Sequence, residues 1–230
     1  MSPFPEGNFA WVNIIRIGGL AVELEYILPG DIEKRSFEII DAELKERGII
    51  LPGDQRDVTM RVIHTSADFD YAGTMTYSKD AVKIARTLIR EGADIVTDTN
   101  MALAGINKKK LAMYGGRVHC FMAEEEIARE AKERQLTRAA VSMERASEIE
   151  KPVIFAIGNA PTALVSLYEL MQKKPWKPAF VIGVPVGFVN VEAAKELILK
   201  TEVPYIVNRG RKGGSNVAAA IVNALLYGMI

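Results

Sequence analysis

The chain alternates short apolar runs with amphipathic stretches of helical spacing almost from end to end, and this most limits what it can fold into. Val58–Ile63, Ala93–Thr97, Val118–Met122, Pro152–Ile157, Phe180–Val184 and Tyr205–Asn208 are continuous rather than alternating in polarity. Such runs read as strands buried on both faces, as in a parallel sheet. Between them lie helical stripes. Pro29-Gly30-Asp31 is a turn with Asp31 as helix cap, followed by Ile32, Ile39, Ile40 and Leu44 on one face and Gly48 as the stop. Ser78 reads as the cap of the stripe Ala81, Val82, Ala85, Leu88 and Ile89, which ends at Gly92. Charged helices are expected over 123–134 and 137–148, a helix begins at Pro161, and another covers 190–201. The last helix turns Val217, Ala220, Ile221, Ala224 and Leu225 inward. Strand and helix in alternation predict a single three-layer α/β/α domain, doubly wound around a mainly parallel sheet.

Residues 1 to about 28 fit this pattern poorly. An edge hairpin, an arm onto a partner subunit and an extension that contributes little are all open, with Phe4, Phe9, Trp11, Ile14 and Ile15 supplying the apolar surface in the first two. This apolar stretch is broken by Arg16, Gly18, Gly19, Glu23 and Glu25, so it reads neither as a membrane span nor as a signal peptide. A net charge of zero argues against a nucleic-acid footprint over the whole surface. The single cysteine, Cys120, excludes an intramolecular disulfide, fits a cytoplasmic protein, and is expected to be a buried thiol in its apolar run.

In open α/β sheets, ligands sit outside the carboxyl ends of the strands. Four stretches should gather there: His64–Asp68, Asp98–Asn100, Gly158–Thr162 and Gly183–Gly187. His64 is one of two histidines and is expected where the strand Val58–Ile63 ends, beside two hydroxyls and two carboxylates. An imidazole changes charge near neutrality, so this one could give or take a proton; capping the strand is the plainer alternative. Gly213-Gly214-Ser215 precedes the last helix, next to Arg209, Arg211 and Lys212. That combination suits a carboxylate or phosphate, or else it is a tight turn with Ser215 as cap. It is not a P-loop, and no dinucleotide fingerprint, serine-hydrolase elbow or metal-ligand spacing is present. Asp68 and Asp70 are not marked as a glycosidase pair, and Lys108-Lys109-Lys110 reads as a solvated face.

Several of these segments, in this order, resemble the precorrin-8X methylmutase family of cobalamin biosynthesis. They are Ile32–Ile40, Val62–Asp68, Asp98–Met101 with Gly105-Ile106, Thr137–Ala140, Ala156–Leu164, Gly183–Val189 and Gly210–Ser215. The resemblance covers residues 26–230 and leaves 1–25 as an extension of unknown role. It implies a flavodoxin-like fold, no cofactor, and a homodimer with the site near the subunit interface. The activity it implies is an isomerisation: a methyl group moves between neighbouring carbons 11 and 12 of a corrin ring, with or without cobalt. His64 matches the family's histidine, thought to protonate a ring nitrogen. The substrate-binding positions would be Ser36, Asp68, Thr99, Asn100, Arg138, Asn159, Arg211, Lys212, Gly213, Gly214 and Ser215, with Ser36 and Arg138 as candidates for holding carboxylate arms of the ring. For Ser36 and Arg138 the alternative is a helix-surface side chain. The implied partner is a corrinoid small molecule, with no nucleic acid, membrane or metal ion. Two other functions stay open at this point, a corrinoid carrier without activity and an unrelated flavodoxin-like enzyme acting on a phosphorylated metabolite.

Overall fold

The computed structural model describes residues 11–17 and 20–229, with side chains from residue 24 onward. They fall into two compact units, residues 1–48 and 49–230. In the first, β1 (Trp11–Ile17) and β2 (Leu20–Tyr26) form an antiparallel ribbon in which Trp11 faces Tyr26. The backbone of this region forms a hairpin of its own; Phe4 and Phe9 lie outside the described residues. Helix α1 (Ile32–Glu46) starts at Asp31, buries Ile40 and Leu44, and ends before Gly48 at φ +67°. Ile32 and Ile39, expected on the same inward face, are exposed.

The second unit is built on β3 (Met75–Tyr77), β4 (Asp94–Thr97), β5 (Val118–His119), β6 (Val153–Ile157), β7 (Phe180–Gly183) and β8 (Tyr205–Asn208). Their order across the sheet is β3-β8-β7-β6-β4-β5, with every pair parallel except β3–β8. Numbered among themselves, the parallel strands run 2-1-3-4-5, which is the flavodoxin-like order. The helices in chain order are α2 (Arg56–Ser66), α3 (Tyr71–Thr74), α4 (Ala81–Arg90), α5 (Asn100–Gly105) and α6 (Lys108–Ala112). They continue with α7 (Glu125–Glu133), α8 (Arg138–Ala146), α9 (Pro161–Lys173), α10 (Val191–Leu199) and α11 (Ser215–Tyr227).

Alternation along the strands explains the layers. Val153, Phe155 and Ile157 share one face and pack with Met143 of α8, Leu164 and Leu167 of α9 and Ile198 of α10. Helix α11 lies against β6 and β7 and also packs on α2, α4 and α5, which form the second helical group. Apart from Tyr205, half-buried at its start, every residue of β4, β6, β7 and β8 is buried, as continuous apolar runs require.

Three expectations are corrected. Val58–Ile63 is not a strand but the body of α2. Its β-branched residues favour a strand, yet Val58, Thr59, Val62 and Ile63 recur at helical spacing and are buried, while His64 and Thr65 face outward. Packing on α11 overrides the weak intrinsic preference. Ser78 does not cap α4; Asp80 holds the cap position, and the Ser78 hydroxyl accepts the Tyr205 N–H at 2.9 Å, tying β3 to β8. The run Val118–Met122 is a strand for two residues only, then tightens into a 3-10 turn over Phe121–Ala123. Cys120 is accordingly half-buried rather than buried, and desolvation raises its thiol pKa.

Candidate active site

The strand order reverses between β4 and β6, and the carboxyl ends of these strands flank the crevice where ligands of such sheets bind. Asp98, the residue after β4, is fully buried there. Its Oδ1 accepts the Gly158 N–H at 2.8 Å, and its Oδ2 accepts those of Asn159 and Ala160 at 2.7 and 2.6 Å. Desolvation raises the Asp98 carboxyl above its usual range, and the three N–H groups oppose this by favouring the charged form. One side chain therefore sets the turn that starts α9. The sequence showed Asp98 as a polar strand end but gave no sign of this clamp.

Further bonds interlock the same edge. Thr99 caps α5 by accepting the Ala102 N–H, and its hydroxyl lies 2.8 Å from that of Ser215. The Val186 N–H reaches Gly158 O, the Gly214 N–H reaches Val184 O, and the Gly187 N–H reaches Arg211 O. Both glycines before α11 have steric reasons. A Cβ on Gly213 would sit 2.0 Å from Val184 O, and Gly214 has φ +147°. Ser215 is the first residue of α11 rather than its cap, a position held by Gly214.

His64 lies in a helix rather than at a strand end. It is exposed in the last turn of α2, which closes at Ala67 with φ +52°. The chain then passes through Asp68 and Asp70, both bonded to Lys212 Nζ at 2.5 and 2.6 Å. It ends in Thr74, whose hydroxyl donates to Asn208 Oδ1 at 2.6 Å, where β8 stops. So the segment after His64 is anchored to the carboxyl edge, although its secondary structure differs from the one expected.

The expected polar residues divide into paired and exposed groups. The Lys212 bond holds the Asp68 carboxyl below the usual range and raises the lysine, so Lys212 is compensated by two carboxylates. Arg211 Nε bonds Glu192 at 2.8 Å, and its guanidinium lies over the Phe188 ring at 5.6 Å. Asn100 and Asn159 are exposed beside their strand ends. Arg138 is exposed at the first residue of α8, next to Thr137, whose hydroxyl donates to Thr162 at the start of α9. Ser36 belongs to the 1–48 unit, where its hydroxyl donates to Ile32 O within α1. Among the described residues, no group of three or more His, Cys, Asp or Glu could hold a metal ion.

Four apolar side chains absent from the expected set complete the edge. Met101 follows β4, and Val186, Phe188 and Val189 follow β7; all are exposed, Phe188 at 82%. Their signal in the sequence was weak, because single apolar residues in loops are common. A distinct hollow of about 510 Å³, lined by Tyr168, Trp176 and Lys200, lies beyond the C-terminal ends of α9 and α10, at the opposite end of the sheet. The carboxyl edge is instead open, with apolar side chains and arginines at its rim. It suits a broad ligand with apolar faces and an anionic periphery.

Comparison with known proteins agrees. A family model described as precorrin-8X methylmutase matches residues 31–228. The cobalt-precorrin-8 methylmutase of Priestia megaterium is 41% identical over 199 residues, covering 86% of this chain and 88% of that one. The precorrin-8X methylmutase of Pseudomonas aeruginosa is 38% identical over 205 residues, covering 88% and 97%. The crystal structure of precorrin-8x methyl mutase from Thermus thermophilus superposes with a TM-score of 0.77 at 36% identity, covering 86% of this chain and 96% of that one. Matched over most of its length in sequence and in fold, the chain belongs to the precorrin-8X methylmutase family, a family of isomerases.

Proposed function

We propose that the chain moves a methyl group between carbons 11 and 12 of the corrin ring of precorrin-8X or cobalt-precorrin-8, giving hydrogenobyrinate or cobyrinate, with His64 as general acid. Family membership, joined to an open edge of apolar and cationic side chains, carries this reading. The macrocycle has apolar faces for Met101, Val186, Phe188 and Val189, and its carboxylate arms suit Arg211 and Arg138. In the reaction one carbon–methyl bond breaks and its neighbour forms, so substrate and product have the same atoms. A proton lent by His64 to a ring nitrogen draws electrons toward the migrating methyl and returns afterwards. His64 is exposed in the last turn of α2, close in sequence to the Asp68–Lys212 tether.

The test is His64→Ala. The variant should fold and bind hydrogenobyrinate within about threefold of wild type, while turnover falls by about 10²- to 10⁴-fold, the usual worth of a positioned proton donor. Turnover near wild type would remove His64 from the chemistry. A wild type that binds the ring but forms no product would instead favour the carrier reading.

A further inference from the structure

The loop that carries Arg209, Arg211 and Lys212 has an unusual underside. Four successive carbonyls accept bonds from groups beneath or beside it. Asn208 Nδ2 donates to Arg209 O at 3.1 Å and to Lys212 O at 2.9 Å. Gly187 N–H donates to Arg211 O at 3.2 Å. Lys195 Nζ donates to Gly210 O at 2.7 Å and to Lys212 O at 2.9 Å.

Lys195 is the exceptional member. It lies in α10 with Val191, Ala194 and Ile198 on the buried face, and it is 1% exposed. Among the described residues no carboxylate is bonded to it, and nearby Glu192 is engaged by Arg211. Burial lowers its pKa to about 8, because the site solvates the ammonium poorly. An apolar side chain of similar length would avoid the desolvation penalty but leave the Gly210 carbonyl without its donor, so what the lysine adds is a hold on these carbonyls. Its two bonds go to backbone oxygens of the loop that carries Arg209, Arg211 and Lys212.

We infer that Lys195 is a positioning residue for the anionic periphery of the substrate, drawing the carbonyls of Gly210 and Lys212 inward and placing a buried positive charge under the basic loop. This rests on the corrinoid reading above. Carbonyl oxygens turned toward the ligand would repel its carboxylates; with Lys195 in place they point into the protein. The effect belongs to affinity, because Lys195 is covered by the loop and cannot touch the reacting carbons.

The experiment compares wild type, Lys195→Met and Lys195→Gln. It measures equilibrium binding of hydrogenobyrinate, KM and kcat for the precorrin, and thermal unfolding. Both variants should bind the probe about tenfold more weakly, the scale of one charge-assisted contact, with KM rising in parallel and kcat within about twofold. In Lys195→Met the relief of burying no charge offsets the loss of the bonds to Gly210 O and Lys212 O, so its Tm should stay within about 5 °C of wild type. Unchanged affinity in a folded variant would overturn the inference. So would a fall in kcat at constant KM, or failure of both variants to fold, which would make the lysine a purely structural element. Binding of the probe is read without turnover, so a wild type that binds but does not isomerise would defeat the methylmutase reading while leaving Lys195 testable.

Discussion

Asp98→Asn is the most informative perturbation of the site's frame. The substitution keeps shape but replaces one acceptor oxygen with an NH₂ group. In the wild type Oδ1 serves one N–H, at Gly158, and Oδ2 serves two, at Asn159 and Ala160. The amide oxygen will take the position serving two, leaving the Gly158 N–H facing a donor. A buried unsatisfied N–H costs about 1–3 kcal/mol, and each surviving bond loses roughly 1 kcal/mol on becoming neutral. Relief from burying a charge offsets part of this, so the net loss is about 2–4 kcal/mol. For a chain of this size that lowers Tm by roughly 5–15 °C. Calorimetry at neutral pH, with hydrogenobyrinate titrated into both proteins, measures it. The variant should melt lower and bind more weakly, because the turn at Gly158–Ala160 loses its anchor. A Tm within about 2 °C of wild type would show that the three short bonds do not hold the switch point together.

Other outcomes follow from the same edge. Gly213→Ala would bring a Cβ against the Val184 carbonyl, so loop and strand end must separate; an overpacking penalty of about 1–3 kcal/mol should appear in Tm together with reduced affinity, and a silent variant would contradict the contact. Arg211→Ala should weaken hydrogenobyrinate binding about fivefold, less at high salt, whereas Lys212→Ala should lose less, because Asp68 and Asp70 already compensate its charge; equal losses would refute this ranking. The lowered Asp68 pKa means its contribution is present above the ordinary carboxylate value and lost as pH falls through the folded one. Below about pH 4, then, the Tm of Asp68→Asn should fall less steeply than that of wild type, and matching slopes would count against the tether. Light scattering across a dilution series should find a C₂ dimer whose dissociation weakens ligand binding, and a fully active monomer at micromolar concentration would rule out a shared site.

Much of this architecture was legible because burial on both faces leaves a plain mark. Phe155 and Val181 sit in unbroken apolar runs that only a covered sheet accommodates. The Val58–Ile63 run misled because six residues can satisfy a strand by composition and a helix by spacing, and only the packing partner α11 decides. Lys195 left a trace that could have been read: it occupies the i+4 position of the stripe Val191, Ala194, Lys195 and Ile198. Asp98 was legible only as a polar strand end and its clamp left no trace, since its partners are backbone groups sixty or more residues away. Phe188 and Met101 were equally silent, because exposure of an apolar side chain depends on where its loop is placed.

The central claim is isomerisation of a corrin precursor, and one measurement addresses it directly. Wild-type protein is incubated with precorrin-8X, and in parallel with cobalt-precorrin-8, while the absorption spectrum is followed and the mass of the recovered pigment determined. The account predicts conversion of at least one of them, over many turnovers per protein molecule, to the spectrum of hydrogenobyrinate or cobyrinate with no change in mass. A spectral shift that stops at one equivalent of protein, or no shift with either pigment, would contradict it.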